Sequence, residues 1–80
     1  MDLEALGDRV QSLRIDRGLT LRDLADRSDV SVSMLSSVER GEKAPTVVVL
    51  DRIARGLDVT LANMVAEDHA DRVIVRRAAD

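Results

Sequence analysis

The chain contains no Phe, Trp, Tyr or Cys, and Pro45 is its one proline. The absence of cysteine excludes disulfides and thiolate metal sites, so redox chemistry does not constrain the compartment. Without aromatic rings the core must be aliphatic, which favours packed helices. It also argues against binding of RNA or single-stranded DNA, because those ligands are commonly held by stacking bases on aromatic side chains.

Long apolar runs are absent as well. No segment approaches the roughly 20 residues that a membrane span needs, and the N-terminus lacks the pattern of a signal peptide. We therefore expect a cytoplasmic protein without membrane association. Its 80 residues, 45% hydrophobic and 34% charged, are typical of one small globular domain.

The net charge of −3 is unusual for a protein that binds nucleic acid, because such domains are commonly basic. Much of the acidity lies near the two ends of the chain, but Asp23, Asp26 and Asp29 lie in its central part. This charge predicts weak non-specific attraction to a polyanion. Specific affinity would therefore depend on dimerisation and on local, salt-sensitive contacts.

The spacing of apolar residues predicts an all-α fold, a compact bundle of five helices. The clearest pattern lies in the fourth helix, where Leu50, Ile53, Ala54 and Leu57 occupy positions i, i+3, i+4 and i+7. Polar caps and glycines indicate where the helices begin and end. The first predicted helix spans Asp2 to Arg17. The other four begin at the predicted caps Thr20, Ser31, Thr46 and Thr60 and end at about Ser28, Arg40, Leu57 and Val65.

Residues 21–40 form two short predicted helices joined by a turn at Asp29 and Val30. The second helix ends at Gly41 and has small polar side chains along one side. Two helices at a steep angle with a free face of small residues suit insertion into the major groove of DNA. We place one helix-turn-helix domain at residues 1–66, with its motif at 21–40.

Residues 67–80 are predicted to be a polar tail or linker. Within it, residues 72–76 (RVIVR) favour a β-strand. A single strand is not stable alone, so three alternatives stay open: an ordered arm, a dimer contact, or the first strand of a further domain.

A connected series of residues resembles the Cro/repressor-type helix-turn-helix family, also called the XRE family, from about Leu6 to Val65. The resemblance implies a lambda-repressor-like fold in which the third helix enters the major groove and the second crosses the phosphate backbone. The matching residues are Leu13-Arg14, Gly18 to Thr20, Leu24-Ala25, Val30-Ser31, Leu35-Ser36, Val38 to Gly41, Pro45-Thr46, Leu50, Ile53-Ala54, Leu57 and Val59.

The resemblance also implies roles for individual residues. Arg14 and Glu39 match positions that form a salt bridge between the first and third helices. The residues expected to face base edges are Val32, Ser33, Ser36 and Ser37. Those expected to contact phosphate, through side chains or through free backbone N–H groups at a helix start, are Thr20, Leu21, Arg22, Ser31, Arg40 and Lys43.

No set of residues indicates catalysis, and we expect a non-enzyme without cofactors. The sequence shows no nucleophile with a paired base and no glycine-rich phosphate loop. His69 is the single histidine and lies among acidic residues. One histidine without converging ligands does not make a zinc site, so no metal is expected either.

The leading hypothesis is a sequence-specific transcriptional regulator or repressor that binds double-stranded DNA as a homodimer. Three stretches also resemble the N-terminal domain of regulators with a C-terminal cupin sensor: LTLRDLA, SVSMLSSVERGEKAPTVVVLDRIARGLDV and RVIVRR. The fifth helix and Val73 to Val75 are the candidate dimer contacts. Two alternatives are an antitoxin-type protein that acts through a protein partner and a controller protein of a restriction–modification system. A purely structural bundle is the weakest alternative.

Overall fold

The computed structural model describes residues 2–65, which form five α-helices and no strand. The all-α, five-helix prediction is confirmed. The predicted strand at 72–76, His69 and the rest of the tail lie outside the described residues. Within the described part, no helix is long and apolar enough to cross a membrane. The helices are α1 (Leu3–Asp16), α2 (Leu21–Ser28), α3 (Val32–Glu39), α4 (Val47–Gly56) and α5 (Leu61–Val65).

Every helix begins at a polar side chain that accepts a hydrogen bond from a backbone N–H of the first turn. Such a cap stabilises a helix by about 1 kcal/mol because those N–H groups have no partner within the helix. Four of the caps follow the sequence prediction, and Asp2 is a cap that the sequence analysis did not assign. The capping residues are Asp2, Thr20, Ser31, Thr46 and Thr60.

Three helices end in the same closure, in which one residue takes a positive φ and the next N–H returns to a carbonyl five residues earlier. Gly18 (φ 67°) and Gly41 (φ 71°) occupy this position after α1 and α3, and Asp58 (φ 61°) occupies it after α4. The returning bonds run from Leu19 to Arg14, from Glu42 to Ser37, and from Val59 to Ala54.

The core is aliphatic, as predicted, and all five helices contribute to it. Val30 is also buried, at 7% exposure, although the sequence analysis assigned it only to the turn before α3. The buried apolar residues are Leu6, Val10, Leu13, Leu24, Val30, Leu35, Val38, Leu50, Ile53, Ala54, Leu57 and Met64.

Two glycines allow neighbouring helices to approach closely. A Cβ added to Gly7 in α1 would lie 2.5 Å from the carbonyl oxygen of Glu39 and 2.6 Å from that of Val38. A Cβ added to Gly56 in α4 would lie 2.9 Å from Cβ of Ser28 in α2. The contact at Gly7 shows that the last turn of α3 packs directly on the backbone of α1, and the contact at Gly56 shows that α4 packs closely on α2.

Candidate nucleic-acid interface

Helix α3 has one side in the core and one side free. Leu35 and Val38 are at most 1% exposed, and the helix packs against both α1 and α2. Val30, just before the cap, and Leu35 are buried in the same core, which is the arrangement of a hydrophobic staple and fixes how the chain enters the helix.

The free side of this helix carries Val32, Ser33 and Ser36, and we call these three residues the exposed face of α3. Val32 and Ser33 are exposed, and Ser36 is half-buried. Their side chains are short, so another molecule can come close to the helix backbone.

Ser37 does not lie on the exposed face, which differs from its predicted position toward base edges. Ser37 is only 8% exposed. Each helical residue turns the side chain by about 100°, so a face from Val32 to Ser37 would span about 140°. Because Ser37 is buried, the free side of α3 covers a narrower arc than this.

Arg14 and Glu39 are in contact and join α1 to α3. The guanidinium donates from Nε to Glu39 Oε2 at 2.7 Å and from Nη2 to Oε1 at 3.0 Å, a two-pronged pairing. The third donation, from Nη1, reaches the backbone carbonyl of Leu19 at 2.9 Å. The hydrogen bonds to Glu39 raise the pKa of Arg14 above its ordinary value. One side chain thus joins α3 to α1 and to the loop before α2.

The start of α2 presents backbone donors to the outside. The Thr20 hydroxyl accepts from the Asp23 N–H at 3.0 Å, and the Asp23 carboxylate accepts from the Thr20 N–H at 2.9 Å. This reciprocal capping uses two of the four N–H groups that a helix start leaves unpaired. The N–H groups of Leu21 and Arg22 have no acceptor among residues 2–65. These are the two backbone groups that the sequence analysis assigned to phosphate.

The side chains at this helix start contribute unequally. Leu21 is half-buried and packs against the core, so only its backbone is presented, whereas Thr20 and Arg22 are exposed. Asp23 is exposed too, and its hydrogen bonds with Thr20 lower the pKa of its carboxyl below the ordinary value. A negative charge therefore stands beside the predicted phosphate donors at neutral pH.

Arg40 folds back along α3 instead of extending from its end. Its Nη1 donates to the Ser36 hydroxyl one turn earlier, and its Nη2 donates to Glu42 Oε1 at 2.9 Å. Glu42 was not singled out by the sequence analysis, since its contact depends on the turn at Gly41. The hydrogen bond lowers the pKa of Glu42 and raises that of Arg40.

The remaining predicted residues are exposed at separate points. Ser31 caps α3 through the Met34 N–H at 3.1 Å, and Lys43 lies in the loop between α3 and α4. Of the predicted site residues, the structure joins Arg14 to Glu39, and Ser36 to Arg40. Within residues 2–65 no cluster of three or more His, Cys, Asp or Glu side chains is suited to hold a metal ion.

Comparison with known proteins identifies the family. The model of the Helix-turn-helix family HTH_3 matches residues 10–63. The match covers more than half of the chain, which therefore belongs to this helix-turn-helix family. The resemblance to Cro/repressor-type proteins is confirmed at this level.

The related proteins are transcriptional regulators and not enzymes, in agreement with the expectation from sequence. ClgR of Mycobacterium tuberculosis is 37% identical over 59 residues, which are 74% of this chain and 53% of ClgR. SinR of Bacillus subtilis is 32% identical over 65 residues, 80% of this chain and 59% of SinR. The chain thus spans between half and two thirds of the length of these relatives.

Solved structures show the same fold. The restriction-modification controller protein C.AhdI from Aeromonas hydrophila aligns with a TM-score of 0.76 and 32% identity, covering 79% of this chain and 96% of that one. The clp gene regulator ClgR from Corynebacterium glutamicum aligns with a TM-score of 0.79 and 34% identity, covering 100% of this chain and 85% of that one.

Proposed function

We propose that the protein is a sequence-specific transcriptional regulator that binds double-stranded DNA as a dimer, with α3 in the major groove. The observation that supports this most directly is the exposed face of α3, whose opposite side is fixed in the core. Short side chains allow the helix to approach the base edges. Ser33 and Ser36 can each donate or accept a hydrogen bond, and Val32 suits contact with a thymine methyl group.

The start of α2 and the loop after α3 supply the phosphate contacts in this proposal. The unpaired N–H groups of Leu21 and Arg22 suit a phosphate oxygen, and the dipole of α2 favours an anion there. Thr20, Ser31 and Lys43 add exposed donors. These contacts fix register and orientation and carry no sequence information themselves.

The test is selection of bound duplexes from a randomised pool, followed by titration of the selected site with salt. We expect a two-fold symmetric motif, and an affinity that falls steeply as salt rises because phosphate contacts release counterions. Ser33→Ala should change the preference at one or two base pairs. Ser12→Ala, at an exposed serine of α1, is the matched control and should change nothing. Equal binding to all duplexes would contradict the proposal.

Dimerisation is testable in the same material. A dimer of this fold places its two reading helices about 34 Å apart, so the selected half-sites should be centred about 10 base pairs apart. Sedimentation should show two copies of the protein bound to a full site and one copy bound to a half-site. A single copy on the full site would refute the dimer.

A controller protein of a restriction–modification system is a second candidate. It is favoured by the similarity to the restriction-modification controller protein C.AhdI, with a TM-score of 0.76 and 32% identity. Neighbouring genes separate these possibilities: a methyltransferase or endonuclease gene favours the controller, and a toxin gene favours the antitoxin-type alternative. A reading frame that continues past Asp80 into a β-rich domain would favour the cupin sensor hypothesis.

A further inference from the structure

We propose that Arg40 reads a guanine in the major groove and that Glu42 is the positioning residue that holds it over the exposed face of α3. This inference rests on the proposed DNA binding by α3 and assigns a specificity-determining role within that surface. It replaces the expectation from sequence that Arg40 contacts phosphate.

The direction of the Arg40 side chain is the first observation. Arg40 follows the last residue of α3, so an extended side chain would leave the helix there. Instead, the guanidinium lies one turn back, where it donates to the hydroxyl of Ser36. Its second bond goes to Glu42 at 2.9 Å. The charged group is therefore held beside a residue of the exposed face.

The backbone fixes Glu42 in its place. Gly41 takes a φ of 71°, and its N–H donates to the Val38 carbonyl at 3.0 Å. The N–H of Glu42 donates to the Ser37 carbonyl at 2.9 Å. This closure of the helix end returns the chain beside α3. The Glu42 carboxylate is thus anchored to the same helix as the guanidinium that it binds.

Apart from the Glu42 carboxylate, which accepts from Arg40, the hydrogen-bonding groups at this point can donate. A guanidinium carries five N–H donors and no acceptor. The Ser36 oxygen accepts from Arg40, so the hydroxyl hydrogen remains available to donate. Guanine presents two acceptors, O6 and N7, on its major-groove edge, and a guanidinium fork bonds both. The chemistry of the pair therefore matches guanine better than the other bases.

Electrostatics make phosphate the poorer partner. The hydrogen bond from Arg40, with a smaller contribution from the charge of Lys43, lowers the pKa of Glu42, so its carboxylate is ionised at neutral pH. That charge offsets the guanidinium and repels a phosphate. The two side chains are 55% and 56% exposed. Exposed ion pairs are weak, so Arg40 can give up part of this pairing when a base approaches.

The test compares duplex selection and salt dependence for the wild type, Arg40→Lys and Arg40→Ala. Lysine keeps the charge but lacks the planar fork, so both variants should lose the preference for guanine at one position per half-site. The loss of discrimination there should be about 5-fold to 150-fold. Arg40→Lys should keep the salt slope. Lys43→Ala, an exposed cation three residues away, is the matched control and should flatten the salt slope without changing the motif.

Variants of Glu42 test its role in positioning. Glu42→Gln keeps an acceptor and Glu42→Ala removes it, so only the alanine variant should lose preference at the same guanine. Both should bind unrelated duplexes more tightly because both remove a negative charge. The proposal is overturned if Arg40→Lys keeps the wild-type motif, or if Arg40→Ala weakens binding to all sequences equally. A wild type that selects no motif would instead refute the proposed function itself.

Discussion

Replacement of Gly7 by alanine tests the close approach of α1 and α3. Alanine within a helix is more stable than glycine by roughly 0.5–1 kcal/mol, so without that contact the substitution would stabilise the protein. The new Cβ would lie 2.5 Å from the Glu39 carbonyl oxygen, where ordinary contact begins at 3.4 Å. The two backbones would therefore have to separate by about 0.9 Å, the difference between these distances.

Such overpacking costs about 1–3 kcal/mol, and subtracting the helix gain leaves a net loss of up to about 2.5 kcal/mol. In a domain of this size each kcal/mol lowers the melting temperature by about 4–8 °C. Thermal unfolding of Gly7→Ala should therefore show a clear loss of stability. The shift also moves the last turn of α3, so binding to the selected duplex should weaken.

Gly18→Ala is the matched control for this experiment. The added Cβ at Gly18 meets no atom within 4 Å, and the cost arises only from its φ of 67°. We expect a loss of about 1 kcal/mol with an unchanged DNA motif. A Gly7→Ala protein that is more stable than the wild type would refute the reasoning about the α1–α3 contact.

Three further substitutions test other features. Glu39→Ala removes the partner of the largely buried Arg14 and should lower the free energy of unfolding by about 3 kcal/mol; a double-mutant cycle with Arg14→Ala that proves additive would contradict the contact. Asp23→Asn should destabilise the protein at neutral pH, because the lowered pKa of Asp23 means that its charged form stabilises the fold. That contribution is lost as pH falls below about 4. In urea unfolding, the difference in free energy of unfolding between the variant and the wild type should therefore shrink at low pH. A difference that stays constant with pH would contradict this role of Asp23. Ser28→Ala removes a buried hydroxyl without a hydrogen bond, and its free energy of unfolding should equal or exceed that of the wild type by up to about 1 kcal/mol. If Ser28→Ala instead lowered the free energy of unfolding by more than about 1 kcal/mol, the hydroxyl would have a hydrogen-bond partner.

The helices were predictable because their signals are local. The spacing of Leu50, Ile53 and Leu57 identifies α4, and all three are buried. Thr20 and Ser31 cap helices through residues three positions away, which is a distance that the sequence shows directly. The contact between Arg14 and Glu39 spans 25 residues, and only the family resemblance pointed to it.

The features that the sequence did not reveal depend on contacts between elements. The burial of Ser37 depends on how much of α3 its neighbours cover, which no spacing within α3 reveals. In the sequence, Gly7 looks like any other glycine within a helix. Only the structure shows that a Cβ at this position would lie 2.5 Å from the Glu39 carbonyl oxygen of α3. The bond between Arg40 and Glu42 depends on the left-handed turn at Gly41, which brings two residues of opposite charge together.

The three hydrogen bonds of the Arg14 side chain have a consequence for the proposed DNA complex. One guanidinium holds both Glu39 of α3 and the Leu19 carbonyl before α2, so α3 and the start of α2 are held at a fixed spacing. In the proposed complex, the protein therefore cannot change the distance between its base contacts and its phosphate contacts. The duplex has to adjust its groove width to match that distance. Operators should therefore be selected partly for easy deformation at base pairs that the protein never touches.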